Sequence, residues 1–133
     1  MNDEIPVIKA LIIDDELDIC VLLSGLLRAH KIPTEYVTSL KEAVPAIKQY
    51  NPQVLLLDNH LKDGLGLDFI PFIRENAPTA DIIMISAFDG KEEHDRAIQS
   101  GIHAFISKPF SQEDILNSIG EVLKRGEDRQ AET

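Results

Sequence analysis

Disulfides, membrane spans and export signals are all missing from the sequence. Cys20 is the only cysteine, so no disulfide can form within the chain. No apolar stretch approaches the length of a membrane span. The N-terminus carries Asp3 and Glu4 where a signal peptide has a basic flank. These absences predict a cytoplasmic protein in which Cys20 is a small buried hydrophobe and not a catalytic thiol.

Basic residues are also in short supply. The chain has 13 lysines and arginines against 23 acidic residues, which gives a net charge of −10 and a pI near 4.7. The phosphate backbone of a nucleic acid and an anionic membrane surface would both be repelled by such a domain. We therefore expect neither direct nucleic-acid binding nor membrane binding.

Internal repeats and low-complexity segments are absent, and apolar runs alternate instead with helical patterns. This alternation is typical of βαβ units and predicts a parallel sheet. The predicted strands are Val7–Ile13, Thr34–Val37, Val54–Asp58, Asp81–Ser86 and Ala104–Lys108. The predicted helices are Glu16–His30, Ser39–Tyr50, Leu67–Asn76, Lys91–Ser100 and Ser111–Arg125.

Helix boundaries are marked by recognisable capping residues. Ser39 and Ser111 are each followed three residues later by an acidic residue, as in a capping box. Gly101 stands in the position of a C-terminal helix cap. At 133 residues the chain has the size of one domain, which we place at residues 1–126. Residues 127–133 have no large apolar side chain and are predicted to be a polar tail or the start of a linker.

Four of the apolar runs end in reactive polar residues. Asp14 and Asp15 follow the first run, Asp58 ends the third, Ser86 ends the fourth and Lys108 ends the fifth. The carboxyl ends of parallel strands lie along one edge, where open α/β sheets bind ligands. We therefore expect these side chains to converge.

Three carboxylates at one sheet edge need a compensating charge. Two unit charges about 4 Å apart repel by about 1 kcal/mol in water and about 4 kcal/mol at an effective dielectric constant of about 20. Oxygen ligands suit Mg²⁺, Mn²⁺ or Ca²⁺ better than zinc. Asp15 alone could be an ordinary helix cap, and Lys108 or Ser86 alone an ordinary exposed residue. Together, cation, lysine and hydroxyl can neutralise a phosphoryl group, and a carboxylate can accept one.

This motif set resembles the receiver domain of two-component response regulators, over about Val7 to Arg125. The resemblance implies a chemotaxis-regulator-like α/β fold: a doubly wound, five-stranded parallel sheet in the flavodoxin-like order 2-1-3-4-5, with five flanking helices. It also implies that the domain is a switch in a phosphorelay. Such a domain is not an enzyme for other substrates and catalyses only its own phosphorylation and dephosphorylation. The implied partners are a histidine kinase or phosphotransfer protein and a downstream output domain or partner protein.

The resemblance assigns roles at the sheet edge residue by residue. Asp58 matches the phospho-acceptor, whose carboxylate attacks the phosphoryl group of a histidine kinase's phosphohistidine. Asp15 matches the direct carboxylate ligand of Mg²⁺ (Mn²⁺ being possible), and Asp14 a ligand that acts largely through water. Asp58 itself and the backbone carbonyl of His60 complete the metal site. Lys108 matches the lysine that pairs with phosphoryl oxygens, in a cis peptide with Pro109.

Two further positions match the family's switch residues. Ser86 stands where a hydroxyl moves toward the phosphoryl group, and Phe105 stands at the switch aromatic, although core packing explains Phe105 nearly as well. Their movement is expected to repack the face formed by the fourth helix, fifth strand and fifth helix.

The sequence departs from the family pattern near the acceptor. Lys62 replaces the proline usual four residues after it, which should loosen the loop without removing a phosphotransfer group. Phe88, two residues after Ser86, is bulky and is expected to shield the aspartyl phosphate from water. The His60 side chain is expected to be a solvated loop residue and not a metal ligand.

Three other functions remain open on the sequence alone. An aspartyl-phosphate phosphohydrolase is disfavoured, since such enzymes need their nucleophile and a second aspartate two residues apart after the first strand. A flavin or nucleotide binder would need a glycine-rich or hydroxyl-rich loop where Asp14 to Glu16 stand. A degenerate receiver acting as an interaction scaffold is disfavoured because every phosphotransfer group is present.

Overall fold

A five-stranded parallel sheet forms the centre of the computed structural model, which describes residues 8–87 and 90–131, with side chains through 125. Its strands are β1 (Ala10–Ile13), β2 (Thr34–Val37), β3 (Val54–Asp58), β6 (Asp81–Ser86) and β7 (Ala104–Ser107). A small antiparallel pair, β4 (His60–Leu61) and β5 (Gly64–Leu65), lies between β3 and the next helix. The sheet order β2-β1-β3-β6-β7 confirms the predicted order 2-1-3-4-5.

Five helices cover the sheet on both faces. They are α1 (Leu17–Ala29), α2 (Leu40–Tyr50), α3 (Gly66–Asn76), α4 (Lys91–Gln99) and α5 (Gln112–Ala131). Buried residues of α2, α3 and α4 pack in one hydrophobic cluster with Leu11 and Ile13, while those of α1 and α5 pack in another with Ala10 and Ile12. Successive residues of a strand point to opposite faces, so a continuously apolar β1 serves both clusters. The doubly wound architecture is confirmed.

The predicted caps are present, with one variation. Ser39 Oγ accepts a hydrogen bond from the Glu42 N–H, but the Glu42 carboxylate reaches back to the Thr38 N–H. Ser111 and Asp114 form the full reciprocal box. Gly101 has a φ of +82°, the conformation that favours glycine after a helix.

Several helix boundaries differ from the sequence prediction by one residue, and three other boundaries also differ. β1 begins at Ala10, and the predicted start at Val7 lies outside the described residues. β7 ends at Ser107, which leaves Lys108 just beyond the strand. α5 runs to Ala131 instead of ending at Arg125, so the predicted polar tail is helical through that residue. A glycine inside a helix costs only about 1 kcal/mol relative to alanine, too little to end a helix already formed.

No helix among residues 8–87 and 90–131 is both long enough and apolar enough to span a bilayer.

Candidate functional site

The ends of β1, β3, β6 and β7 bring the predicted polar residues to one edge of the sheet. β1 and β3 are neighbours with Ile13 opposite Leu57, so Asp14 and Asp58 leave the sheet side by side. Ser86 ends β6, and its carbonyl oxygen accepts a hydrogen bond from the Lys108 N–H at 2.8 Å. The register of the parallel strands therefore brings these residues to one edge of the sheet, where they were expected to converge.

Lys108 is the cation at the centre of this edge. Its Nζ lies 3.1 Å from Asp14 Oδ2, 3.6 Å from Asp58 Oδ1 and 3.7 Å from Glu16 Oε1. Only 12% of its side chain is exposed, so the solvated-lysine interpretation does not hold. The Lys108–Pro109 peptide is cis, as the family resemblance implies.

Burial and charge shift the ionisation of these groups. Burial, followed by repulsion from Asp14, raises the pKa of Asp58 to about 6. Burial also raises the pKa of Asp14, against the opposing effects of the Glu16 N–H and of Lys108. Burial alone would lower the pKa of Lys108, but the Asp58 and Asp14 carboxylates raise it above its ordinary value. The site thus carries more negative charge than its single ammonium balances.

The carboxylates at the end of β1 are suited to a divalent cation. One oxygen from each of Asp14, Asp15 and Glu16 lies within 4.8 Å of the others. Asp14 and Asp58 are almost fully buried, Asp15 is half-buried and Glu16 is exposed. An excess of buried negative charge on oxygen donors is the setting that Mg²⁺ or Mn²⁺ relieves.

Glu16 is an addition to the residues that the sequence pattern singled out. It occupies the N-cap position of α1, and Asp14 Oδ1 accepts the hydrogen bond of its N–H at 2.9 Å. Asp15 is therefore not the helix cap that it could have been. The sequence feature that could have identified Glu16 was its position directly after two aspartates. An exposed glutamate at the start of a helix is, however, common in proteins that have no metal site there.

The segment after Asp58 is held tightly against the strand. A Cβ on Gly66 would lie 2.5 Å from the Asp58 carbonyl oxygen, so only glycine fits there. The Gly66 N–H donates to the Asn59 carbonyl at 2.8 Å, and the His60 N–H is 3.4 Å from Asp58 Oδ1. Lys62 is exposed in the turn between β4 and β5.

The two predicted switch residues lie on adjacent strands. Ser86 is fully buried at the end of β6. Phe105 on β7 is half-buried, packs against the cluster beneath α2, α3 and α4, and meets the His94 ring of α4 edge-on with centroids 5.0 Å apart. Phe88, predicted to shield the phosphoryl group, lies outside the described residues.

A contact was not predicted between α4 and residues 59–65, a segment that we name the acceptor loop after the expected role of Asp58. Glu93 Oε1 accepts hydrogen bonds from His60 Nε2, at 2.7 Å, and from Asn59 Nδ2. The His60 side chain, 40% exposed, is thus partly solvated as expected but also has a charged partner. Nothing in the sequence pattern pointed to this contact, because an acidic residue in the first turn of a helix is explained by the helix dipole alone.

Comparison with known proteins identifies the family of the chain. The model of the response regulator receiver domain family matches residues 10–120. The chain belongs to this family. Among its relatives is response regulator protein PilR of Pseudomonas aeruginosa, 35% identical over 116 residues, covering 87% of this chain and 26% of PilR. The phosphate regulon transcriptional regulatory protein PhoB of Klebsiella pneumoniae is 29% identical, over 88% of this chain and 52% of PhoB.

Solved receiver domains have the same fold. The beryllofluoride-activated NtrC4 receiver domain is 33% identical, with a TM-score of 0.83 over 89% of this chain and 98% of that one. A CheY-like receiver domain protein from Methanospirillum hungatei reaches a TM-score of 0.87 at 23% identity, over 93% and 99% of the two chains. The chain spans between about a quarter and about half of the length of the curated relatives PilR and PhoB.

Proposed function

We propose that this receiver domain is a signalling switch that takes a phosphoryl group from a phosphohistidine onto Asp58. The observation that carries the proposal is the shared contact at the sheet edge: the buried Asp58 and Asp14 carboxylates both face the Lys108 ammonium. A histidine kinase or a phosphotransfer protein would be the donor. The domain would be no enzyme in the ordinary sense, because its chemistry is on itself.

The side chains supply most of what such a transfer requires. With a pKa of about 6, Asp58 is mostly ionised at neutral pH and can act as a nucleophile. A carboxylate oxygen would form the new bond to phosphorus while the bond from phosphorus to the imidazole nitrogen breaks. Lys108, already 3.6 Å from Asp58 Oδ1, would pair with a phosphoryl oxygen, and the Ser86 hydroxyl would donate to another.

The acidic residues of this edge fit a divalent cation. We propose that Asp14, Asp15 and Asp58, with the backbone carbonyl of His60, hold Mg²⁺ or Mn²⁺, and that Glu16 adds to the negative charge there. When bound, the ion would neutralise the carboxylates and the phosphoryl oxygens.

The switch itself would run from Ser86 to Phe105. Ser86 and Ser107 are paired across β6 and β7, and Phe105 lies two residues before Ser107. Movement of the Ser86 hydroxyl toward the phosphoryl group would leave room for the half-buried Phe105 ring to turn inward. The face formed by α4, β7 and α5 would then repack, shifting an equilibrium between two existing arrangements.

Partner binding is supported by an apolar surface beside the site. Leu17, Val21 and Leu22 of α1 are 55%, 56% and 49% exposed, although all three are apolar. We propose that the phosphodonor protein docks there, since α1 begins directly after the acidic residues. PilR and PhoB extend well beyond the matched region, so an output domain or a separate partner protein is proposed to receive the signal.

Incubation with Mg²⁺ and acetyl phosphate, followed by intact-mass measurement, tests this function. The chain should gain the mass of one phosphoryl group. Asp58→Ala, or omission of Mg²⁺, should abolish the gain, whereas Asp95→Ala on the exposed surface of α4 should keep it. An unchanged mass for the wild type would contradict the proposal and favour a scaffold, whereas steady turnover of added phosphoesters would favour a phosphohydrolase.

A further inference from the structure

Few contacts hold α4 to the rest of the domain. Ala97 is the only residue of this helix that is buried. Its N-cap position is Gly90, which has no side chain to satisfy the first N–H groups. The ion pair between Arg96 and Asp68, with N–O distance 3.5 Å, is exposed on both sides and contributes little. Polar contacts made by partly buried side chains of α4 therefore carry unusual weight.

Glu93 makes such a contact with the residues that directly follow Asp58. Its side chain is 19% exposed, and one carboxylate oxygen accepts hydrogen bonds from both His60 and Asn59. A carboxylate can only accept, so the His60 Nε2 and the Asn59 amide nitrogen are the donors. Hydrogen bonds to an ionised acceptor are the stronger kind, and partial burial protects the bond between Asn59 and Glu93 from competition by water.

Asn59 links Glu93 to the backbone around Asp58 through further hydrogen bonds. The Asn59 side chain is fully buried, and its Oδ1 accepts the Leu67 N–H at 2.9 Å. Its backbone carbonyl accepts the Gly66 N–H, and its own N–H donates to the Ile85 carbonyl at 3.3 Å. Asn59 thus joins β6, the start of α3 and, through Glu93, the first turn of α4, at the position directly after the acceptor.

We propose that Glu93 is a positioning residue that ties α4 to the acceptor loop in the unphosphorylated domain and so opposes the switch. This inference rests on the proposed function, because it assumes that phosphorylation of Asp58 moves α4. A contact present in only one of two states stabilises that state, and its removal must favour the other. Loss of the tie should therefore strengthen binding of a phosphoryl mimic at Asp58.

Glu92 provides a matched control for Glu93. Both glutamates lie in the first turn of α4, carry the same charge and interact equally with the helix dipole, but Glu92 is exposed. Glu93→Ala and Glu92→Ala thus differ chiefly in the contact to Asn59 and His60. Glu93→Gln keeps the shape of the side chain without its charge and serves as a second variant if the alanine substitution impairs folding.

Titration with beryllofluoride in the presence of Mg²⁺ tests whether the contact of Glu93 with Asn59 and His60 opposes the switch. Glu93→Ala should bind on the order of tenfold more tightly than the wild type, because a hydrogen bond to a charged group is lost from the unliganded state alone. Glu93→Gln should fall between the two, and Glu92→Ala should match the wild type. Equal affinities for Glu93→Ala, Glu92→Ala and the wild type would overturn the inference.

Amide hydrogen exchange of the unliganded protein separates this inference from the proposed function. Glu93→Ala should exchange faster than Glu92→Ala at Leu67 and across the first turn of α4. Identical exchange in these two variants would contradict the inference that Glu93 holds α4 to the acceptor loop. A wild type that binds no beryllofluoride would instead contradict the proposed function, and the exchange result would still decide whether Glu93 holds the loop.

Discussion

The proposed transfer requires an ionised Asp58 carboxylate, yet burial of this side chain favours its neutral form. The Lys108 ammonium offsets part of that penalty and the Asp14 carboxylate adds to it, leaving the pKa at about 6. A carboxyl group with such a pKa is mostly ionised at neutral pH, but its ionisation is sensitive to every nearby charge. A cation held by the neighbouring carboxylates would lower the pKa and make the acceptor fully available.

The raised pKa of Asp58 predicts how the metal-free protein responds to pH. The folded state binds a proton between about pH 4 and 6 that the unfolded state, with the ordinary value of 3.8, does not bind. Stability therefore falls as the pH rises through this window. Urea unfolding in EDTA should show wild type losing roughly 2 kcal/mol relative to Asp58→Asn between pH 4 and pH 7.5.

Mg²⁺ should reverse part of this loss at pH 7.5 in the wild type. It should have a smaller effect in Asp58→Asn, in which one of the proposed ligands has lost its negative charge. Parallel pH profiles of the two proteins in EDTA would contradict the assigned ionisation of Asp58.

Among the elements, the loop from β3 to α3 positions Asp58 most directly. The tight approach of Gly66 to the Asp58 carbonyl lets α3 begin immediately after the β4–β5 pair. The neighbouring backbone belongs to a buried strand, so it cannot move aside at low cost.

Gly66→Ala should therefore destabilise the domain by about 2 kcal/mol or more and slow phosphorylation, since the added Cβ would displace the backbone of Asp58 itself. Gly120→Ala in α5 is the matched control. Nothing lies within 4 Å of the Cβ it would add, so it should stabilise the helix slightly. Thermal unfolding and phosphorylation rates of both variants check this, and a neutral Gly66→Ala would refute the steric account.

Predictability from sequence also differs by element. The buried runs of β1, β3 and β6 are continuous and long enough to predict a parallel sheet, and the serine caps located two helix starts to the residue. The strands β4 and β5 have two residues each, too few to show any periodicity. The end of α5 was misplaced because Gly126 alone does not stop a helix that neighbouring residues favour.

At the scale of the whole molecule, the sheet order is what assembles the site. Asp14 and Lys108, far apart in sequence, meet because β1 and β7 are parallel strands of one sheet that end at the same edge, with β3 and β6 between them. Strand ends can be located from apolar runs, so this convergence was predictable. The Glu93 contact was not, because it depends on how α4 packs, and α4 has almost no buried residues to fix its orientation in advance.

The proposed switch predicts a long-range response that depends on Ser86. Beryllofluoride with Mg²⁺ should change amide hydrogen exchange in α4, β7 and the start of α5 and leave α2, which packs against β1, β2 and α3, largely unchanged. Ser86→Ala should still take up the phosphoryl group from acetyl phosphate while losing most of the exchange response. An undiminished response in Ser86→Ala would exclude its hydroxyl as the link between Asp58 and Phe105.

The site of modification is the most direct test of the central claim. After reaction with acetyl phosphate and Mg²⁺, borohydride reduces an aspartyl phosphate to a stable product that proteolysis and tandem mass spectrometry can locate. We predict a single modified residue, Asp58. Modification at Asp14 or Asp15 instead, or no modified aspartate in a protein that has gained the phosphoryl mass, would contradict the account.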